Sequence, residues 1–136
     1  MKSTLQRAAG LLLGLALVLV GVLPTPAAAT TWELRDVEQR MCVTSDFGHP
    51  NTYFVAPVFG SWTTTIRTGI QKMPPGSSSL GGSVIPPGSN YGSVIIGFVH
   101  ISIAPAPVGV YIAEVWASDG VVTQTVPVRI NVQVRC

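Results

Sequence analysis

The sequence predicts an all-β fold in which about seven short strands form a two-sheet sandwich. Val, Ile and Thr are abundant, and the apolar periodicity of an amphipathic helix is almost absent. The 14 glycines and 11 prolines recur every few residues and divide the chain into short extended pieces. Short strands at hairpin spacing are typical of β-sandwiches.

The first 29 residues have the order of a secretion signal. A positively charged start is followed by an apolar run at residues 8–23, a Pro-Thr-Pro turn and an Ala-Ala-Ala sequence at 27–29. The run is about 16 residues long, shorter than the roughly 20 that span a bilayer. We therefore expect cleavage after Ala29 rather than a membrane anchor, and a secreted, extracellular domain at residues 30–136 that has left the membrane.

Removal of the signal leaves six basic and six acidic residues, and therefore no formal net charge. A neutral chain without a cluster of basic residues has little electrostatic attraction for nucleic acid or for anionic lipid. We expect a monomer whose partner is an extracellular protein or a glycan, and no nucleic acid.

The first four predicted strands lie before a long polar segment, at residues 31–35, 39–45, 52–59 and 61–70. Trp32 and Leu34 share one face of the first strand, as expected for alternation with period two. In the fourth strand we expect Trp62, Ile66 and Ile70 to point inward.

Three further strands are predicted at residues 94–103, 110–117 and 126–136. The first of these is apolar on both faces, which indicates a central strand or a bulge that switches faces. Asp119-Gly120 between the last two predicts a hairpin. From Val126 to Cys136 every even-numbered residue is apolar, so Cys136 is expected on the buried face.

Residues 71–93 are rich in Gly, Pro and Ser and contain Pro-Pro-Gly-Ser twice, at 74–77 and 86–89. Such a segment predicts a long surface loop, and loops of this length are often functional or mobile.

Cys42 and Cys136 are the only cysteines. Two cysteines in a small exported domain usually pair, which predicts a disulfide that closes nearly the whole domain. A bridge between two chains through the terminal Cys136 is the alternative. Met41 and Val43 have the character of core residues, which turns Cys42 outward. Either a bulge shifts the register of this strand, or the bridge lies at the end of the sandwich.

The sequence Gly109-Val110-Tyr111-Ile112-Ala113-Glu114-Val115 resembles the penultimate strand of immunoglobulin-like domains. There a Gly-x-Tyr opens the strand and the Tyr hydroxyl caps a nearby turn. With the Ser118-Asp119-Gly120 turn and the strand that follows, this region resembles the closing hairpin of a bacterial immunoglobulin-like domain. The resemblance implies an immunoglobulin-like form of the sandwich and no particular function.

Residues 30–136 also resemble small secreted actinobacterial proteins of unassigned function. Two better-defined families share some features. Actinobacterial cellulose-binding modules have end-to-end cysteines and exposed tryptophans, but their Asn-Gly before the last Cys is missing here. Secreted chromoprotein carriers have the size and the sandwich, but usually two disulfides.

No catalytic, metal or cofactor motif stands out in the sequence. Asp46 and His49 lie three residues apart, but two ligands are fewer than a zinc site needs. No serine lies in a Gly-x-Ser-x-Gly motif, and no pair among the six acidic residues is singled out for glycoside hydrolysis. We therefore expect no cofactor, no metal and no catalytic residue.

Trp116 is the first candidate for a ligand contact. If Tyr111 and Val115 face the core, Ile112 and Trp116 face outward, where they could hold a sugar ring or a partner chain unless the long loop covers them. Trp62 is the second aromatic candidate. The sequence predicts a secreted, non-catalytic binding or interaction module of unknown ligand.

Two other functions remain open. Lys72 and Met73 precede two prolines, and this rigid segment could enter the cleft of an extracellular hydrolase and inhibit it. The third hypothesis is a small secreted hydrolase.

Overall fold

The structure is a computed structural model that describes residues 30–136, so the predicted signal and its cleavage site lie outside the described residues. This part of the chain forms nine strands and contains no helix long and apolar enough to cross a membrane. The strands are β1 (Trp32–Leu34), β2 (Arg40–Thr44), β3 (His49–Gly60), β4 (Ile66–Gln71), β5 (Ser78–Gly82), β6 (Val84–Ile85), β7 (Val94–Ile103), β8 (Gly109–Ser118) and β9 (Thr123–Gln133).

The strands form two sheets, with the orders β1-β3-β7-β5 and β2-β9-β8-β4-β6. All neighbours are antiparallel except β2 and β9, which are parallel. The order β1-β3-β7-β5 facing β9-β8-β4 is that of an immunoglobulin sandwich. The predicted two-sheet sandwich is confirmed, with nine strands in the described chain where the sequence predicts about seven.

The core lies between the sheets and is made by the alternation of apolar side chains. Val126, Val128, Ile130 and Val132 of β9 are buried, as are the inward residues of β3, β7 and β8. Trp32, Leu34, Trp62 and Ile66 are buried as predicted, although β4 begins only at Ile66. Before it, the chain at 61–65 is not a strand.

The tyrosine that opens β8 has the contact implied by the resemblance. The Tyr111 hydroxyl donates to the carbonyl of Pro107, 2.9 Å away in the preceding turn. This bond fixes the corner at which the chain passes from β7 in one sheet to β8 in the other.

β7 is a central strand, as predicted, and both of its faces are apolar. Val99, Ile101 and Ile103 point into the core, whereas Ile96 and Phe98 remain about 45% and 42% exposed. The apolar outer face of β7 is therefore not covered within the part of the chain that the structure describes.

The predicted bridge between Cys42 and Cys136 is present, with 5.6 Å between the two Cα atoms. It lies on the outer surface, because Cys42 points away from the buried Val43. The expectation that Cys136 lies on the buried face is wrong. β9 ends at Gln133, where its partner β2 also ends, and Val134 and Cys136 beyond it are exposed.

The prediction of a continuous surface loop at 71–93 is also wrong. Pro74 is fully buried, β5 pairs with β7 in the first sheet, and β6 pairs with β4 in the second. The Gly, Pro and Ser composition hides these short edge strands, because β5 buries no side chain and β6 buries only that of Ile85. Residues 72–77 form a turn around the buried Pro74, and residues 86–93 form an exposed loop.

Polar side chains fasten the two sheets where the chain crosses between them. The Gln39 amide donates to the carbonyl of Val55 at 2.8 Å and accepts from its N–H at 2.7 Å. The Gln39 backbone carbonyl accepts from the N–H of Arg129 in the other sheet. The Gln39 side chain therefore makes the two hydrogen bonds that a neighbouring strand would make on the unpaired edge of β3. Its backbone carbonyl at the same time accepts a hydrogen bond from β9 in the second sheet.

Two further residues make similar connections. The Gln124 amide on β9 accepts from the N–H of Leu34 and donates to the carbonyl of Trp32, both in the opposite sheet. On the far side Ser83 donates its N–H to Phe98 in the first sheet and accepts from Thr68 in the second. We call Gln39, Gln124 and Ser83 the sheet clasps.

Candidate functional site

The outward side chains of β2, β9, β8 and β4 form one surface, which we call the outer face of the five-stranded sheet. On β8 this surface carries Ile112, Glu114 and Trp116, because Ala113 and Val115 between them point into the core. The predicted outward direction of Ile112 and Trp116 is therefore what the structure has. Ile112 is about 48% exposed and Trp116 is half-buried.

Trp116 is held by a glycine on the neighbouring strand. Gly69 of β4 is the registered partner of Trp116, and the indole lies where a side chain at Gly69 would begin. A Cβ at position 69 would overlap the ring atoms Cε2, Cζ2 and Nε1. The glycine lets the indole lie across the sheet, where it is half-buried.

The three tryptophans differ in what their indole N–H groups bind. Trp32 donates to Asp119 at 3.0 Å, and Trp62 donates to the carbonyl of Pro86 at 3.0 Å. The Trp116 N–H makes no hydrogen bond with any residue in 30–136. Buried indoles usually have a partner for this group. Trp116 thus presents both an apolar ring and a free donor to a ligand.

A shallow hollow of about 320 Å³ adjoins the Trp116 ring and is lined otherwise by Gln71, Ser118 and Thr123. The Thr123 hydroxyl donates to the Ser118 hydroxyl at 2.9 Å. The hollow therefore combines one aromatic ring with hydroxyl and amide groups.

Glu114 lies two residues before Trp116 on the same side of β8, and its charge is neutralised. Lys72 Nζ lies 2.6 Å from one carboxylate oxygen and Gln71 Nε2 donates to the other at 2.8 Å. These bonds, that from Lys72 first, hold the pKa of Glu114 below its ordinary value. Glu114 therefore stays ionised and paired near neutral pH, and has no proton to give as a general acid.

A second hollow, of about 520 Å³, lies on the same face around Ile112. Arg40 of β2 and Arg129 of β9 are registered partners, and Arg129 is in turn the partner of Ile112. The hollow has a mixed lining of apolar, amide and charged groups, contributed by Asp36, Glu38, Gln39, Arg40, Ile112, Pro127, Arg129 and Asn131.

The other predicted contacts are not brought to this surface as free groups. Trp62 is 6% exposed and belongs to the core, so its ring is not open to a ligand. Met73 packs against the core and Pro74 is fully buried, whereas the Lys72 side chain reaches Glu114. Lys72 and Met73 therefore do not form a protruding segment.

The residues that sequence analysis missed are Gly69, Thr123, Arg40 and Arg129. Only the glycine left a signal, since a glycine inside a strand often marks a close approach of another group. Thr123 meets Ser118 through the register of the β8–β9 hairpin, and Arg40 meets Arg129 through the register of strands that are far apart in sequence.

A further apolar surface was also missed, on the outer side of the four-stranded sheet. Tyr53 is about 50% exposed and packs edge-on against Phe98, with ring centroids 5.1 Å apart. His100, two residues after Phe98 on β7, is also near Tyr53, with ring centroids 6.2 Å apart. In the described residues no group of three His, Cys, Asp or Glu side chains could hold a metal ion.

Comparison with known proteins identifies a family and a similarity to solved structures. Residues 33–134 match the profile of a Family of unknown function (DUF5980). No curated protein matches the chain. Among solved structures, the chain is similar to the ASH / PapD-like domain of human CEP192 (PapD-like domain 7), with 13% identity and a TM-score of 0.38. That match covers 84% of this chain and 95% of the human one.

Proposed function

The chain belongs to the Family of unknown function (DUF5980), and we propose that it is a secreted, non-catalytic binding module that holds a glycan on the outer face of its five-stranded sheet. The observation that supports this proposal is Trp116, a half-buried indole whose N–H has no partner within residues 30–136, held across Gly69 and edged by polar groups.

The chemistry of the Trp116 hollow suits a sugar ring better than an apolar ligand. A sugar has apolar C–H faces that pack on an aromatic ring, and hydroxyls around its rim that need hydrogen-bond partners. The hollow supplies the ring of Trp116 and, beside it, the hydroxyls of Ser118 and Thr123 and the amide of Gln71.

The position of Trp116 on a paired strand also favours binding. β8 lies between β9 and β4, so its backbone is fixed on both sides, and the indole is held by Gly69. A side chain that is already ordered loses little conformational entropy when a ligand binds.

The secretion signal predicted at residues 1–29 and the disulfide both fit an extracellular role, because disulfides persist in oxidising compartments. No observation favours the two alternatives. The inhibitor hypothesis needs a free segment at 72–75, whereas Met73 and Pro74 pack inward. The hydrolase hypothesis needs a pair of reactive groups, and Glu114 is held in an ion pair.

The test is a glycan array probed with the wild-type protein, Trp116→Ala and Tyr53→Ala. Tyr53 is the matched control, since it is an exposed aromatic residue on the opposite sheet. We expect Trp116→Ala to weaken binding about tenfold or more, as loss of an aromatic contact of roughly 1.5 kcal/mol requires. Tyr53→Ala should bind as the wild type does.

Gly69→Ala gives an independent check. The new methyl group overlaps the indole, so Trp116 has to leave its place without being removed. Gly69→Ala should therefore lose glycan binding as Trp116→Ala does. Equal binding by wild type and Trp116→Ala, or no binding to any glycan, would contradict the proposal.

A further inference from the structure

The outer face of the five-stranded sheet carries two hollows rather than one. The first adjoins Trp116 and the second surrounds Ile112, four residues away on the same strand and on the same side. Four residues of β-strand span about 13 Å. A chain-like ligand that lies along β8 can therefore reach both hollows at once, whereas a single sugar ring cannot.

The second hollow is lined by two arginines from neighbouring strands. Arg40 and Arg129 are registered partners on adjacent strands, which are about 4.8 Å apart, and both are exposed. Within residues 30–136 neither guanidinium has a carboxylate oxygen within 4.0 Å. Arginine keeps its charge at any ordinary pH, and its planar fork matches a carboxylate or a phosphate.

The acidic groups at the rim do not cancel these charges by contact. The Asp36 carboxylate accepts the N–H of Glu38 at 2.7 Å and so closes a local turn. Farther along the face, Glu114 is paired with Lys72. Glu38 is the remaining carboxylate that lines the hollow, and it makes no ion pair within the described chain.

From this arrangement we propose that the ligand is an acidic polysaccharide. One sugar packs on Trp116, and a carboxylate or phosphate group farther along the polymer binds between Arg40 and Arg129. This inference rests on the proposed glycan-binding function and adds the charge of the ligand and the second contact.

The experiment compares one polymer in two charge states. Oligogalacturonate carries a carboxylate on every sugar, and its methyl ester has the same backbone without the charge. Isothermal titration should give binding of the free acid at least tenfold tighter than binding of the ester, and binding of the acid should weaken as salt is raised. A phosphorylated glucan oligomer in a parallel titration distinguishes phosphate from carboxylate, because it also supplies sugar rings for Trp116.

Four variants locate the charge contact. Arg129→Gln and Arg40→Gln should each weaken binding of the acidic polymer about tenfold, the loss expected for a charge-assisted hydrogen bond. Arg35→Gln is the control, because Arg35 lies over the Phe59 ring on the other sheet. Glu38→Gln should tighten binding of the acid and leave binding of the ester unchanged, since it removes a repelling charge at the rim.

Three outcomes would overturn the inference. In the first outcome the ester binds as well as the acid, Trp116→Ala loses binding of both, and the arginine variants lose binding of neither. The ligand is then a neutral glycan, and only the proposed function stands. If the acid binds through the arginines but not through Trp116, the site is an anion site and both proposals fail. Absence of binding to all three polymers and to every array glycan also rejects both. Urea unfolding of each variant separates a loss of binding from a loss of folding.

Discussion

The sheet clasp at Gln39 offers the sharpest test of how the sandwich is held together. β1 covers only the last part of the β3 edge, so the backbone N–H and C=O of Val55 would face the solvent without the Gln39 amide. In the variant Gln39→Ala both groups lose their partner, while the backbone bond from Arg129 to residue 39 is unaffected because it uses the main-chain carbonyl.

The expected loss follows from the two bonds and from the side chain that makes them. Each hydrogen bond contributes about 1 kcal/mol net, and a buried group left unpaired costs about 1–3 kcal/mol. Freeing a glutamine side chain returns up to about 1.5 kcal/mol of entropy. Val55 and Gln39 are half-buried, so water replaces part of what is lost. We expect Gln39→Ala to lower the free energy of unfolding by about 1–3 kcal/mol.

The assay is urea unfolding of the wild type, Gln39→Ala and the control Gln133→Ala, whose side chain is exposed at the end of β9. Gln133→Ala should change stability by less than about 0.5 kcal/mol. If Gln39→Ala changes it no more than that, the edge of β3 is satisfied by water and the clasp contributes nothing.

A second variant at the same site separates the two bonds. In Gln39→Glu the ionised carboxylate can accept from Val55 but cannot donate to its carbonyl, whereas the protonated acid can do both. The neutral form is therefore favoured in the fold, and the pKa of the introduced carboxyl group is raised above that of the unfolded chain, about 4.3. The stability that the protonated carboxyl group contributes is complete below its pKa in the unfolded chain and is lost as the pH rises through its pKa in the folded protein. The loss of stability of Gln39→Glu relative to the wild type should therefore be smaller at acid pH.

The remaining predictions concern the bridge, one aspartate and the long segment. Cys42→Ser and Cys136→Ser should each lower the free energy of unfolding by several kcal/mol, up to about 4–5 kcal/mol for a loop this long. The double variant should be little less stable than either single variant. If the two losses add in urea titrations without reductant, the two residues are not partners. Hydrogen bonds from the N–H of Val122, the indole of Trp32 and the N–H of Val121, in that order, lower the pKa of Asp119. The stability that Asp119 gives is therefore complete above its unfolded pKa, about 3.9, and is lost as the pH falls through the lower folded value. Asp119→Asn should therefore destabilise the fold less as the pH falls below the folded pKa of Asp119, as measured by urea unfolding. A loss of stability that does not change with pH would contradict this prediction. Amide hydrogen exchange should be slow at residues 78–85 and fast at residues 86–93, and a protease of broad specificity should cut first at 86–93. Equal exchange rates in the two segments would show that β5 and β6 are not stably paired.

The sequence was sufficient for the parts of the fold that bury alternating apolar side chains. Residues 126–132 of β9 and the outward position of Trp116 follow from period two alone. β5 buries no side chain, and Ile85 is the one that the two-residue β6 buries, so neither strand has an alternating pattern and composition marks them as a loop. The alternation also continues past Gln133, although the strand ends there because β2 offers no further partner.

The candidate site, like the fold, has one part that the sequence predicts and another that it does not. A single strand predicts that Ile112 and Trp116 share a face, since both lie on β8. The meeting of Trp116 with Gly69, and of Arg40 with Arg129, depends on which strands are neighbours and in what register. Periodicity within one strand contains no information about its neighbours, so neither pair could be predicted.

The exposed bridge has a consequence for how the protein responds to proteolysis. Because it joins Cys42 to Cys136, a single proteolytic cut anywhere between them leaves two fragments that are still covalently attached. A molecule nicked in the loop at 86–93 would keep its mass on a non-reducing gel and separate into two bands only after a reductant is added. The same molecule would also retain both halves of its outer face, since β4 lies on one side of that cut and β8 and β9 on the other. A protein of this design can be cut once by a protease without losing the surface that we propose it uses.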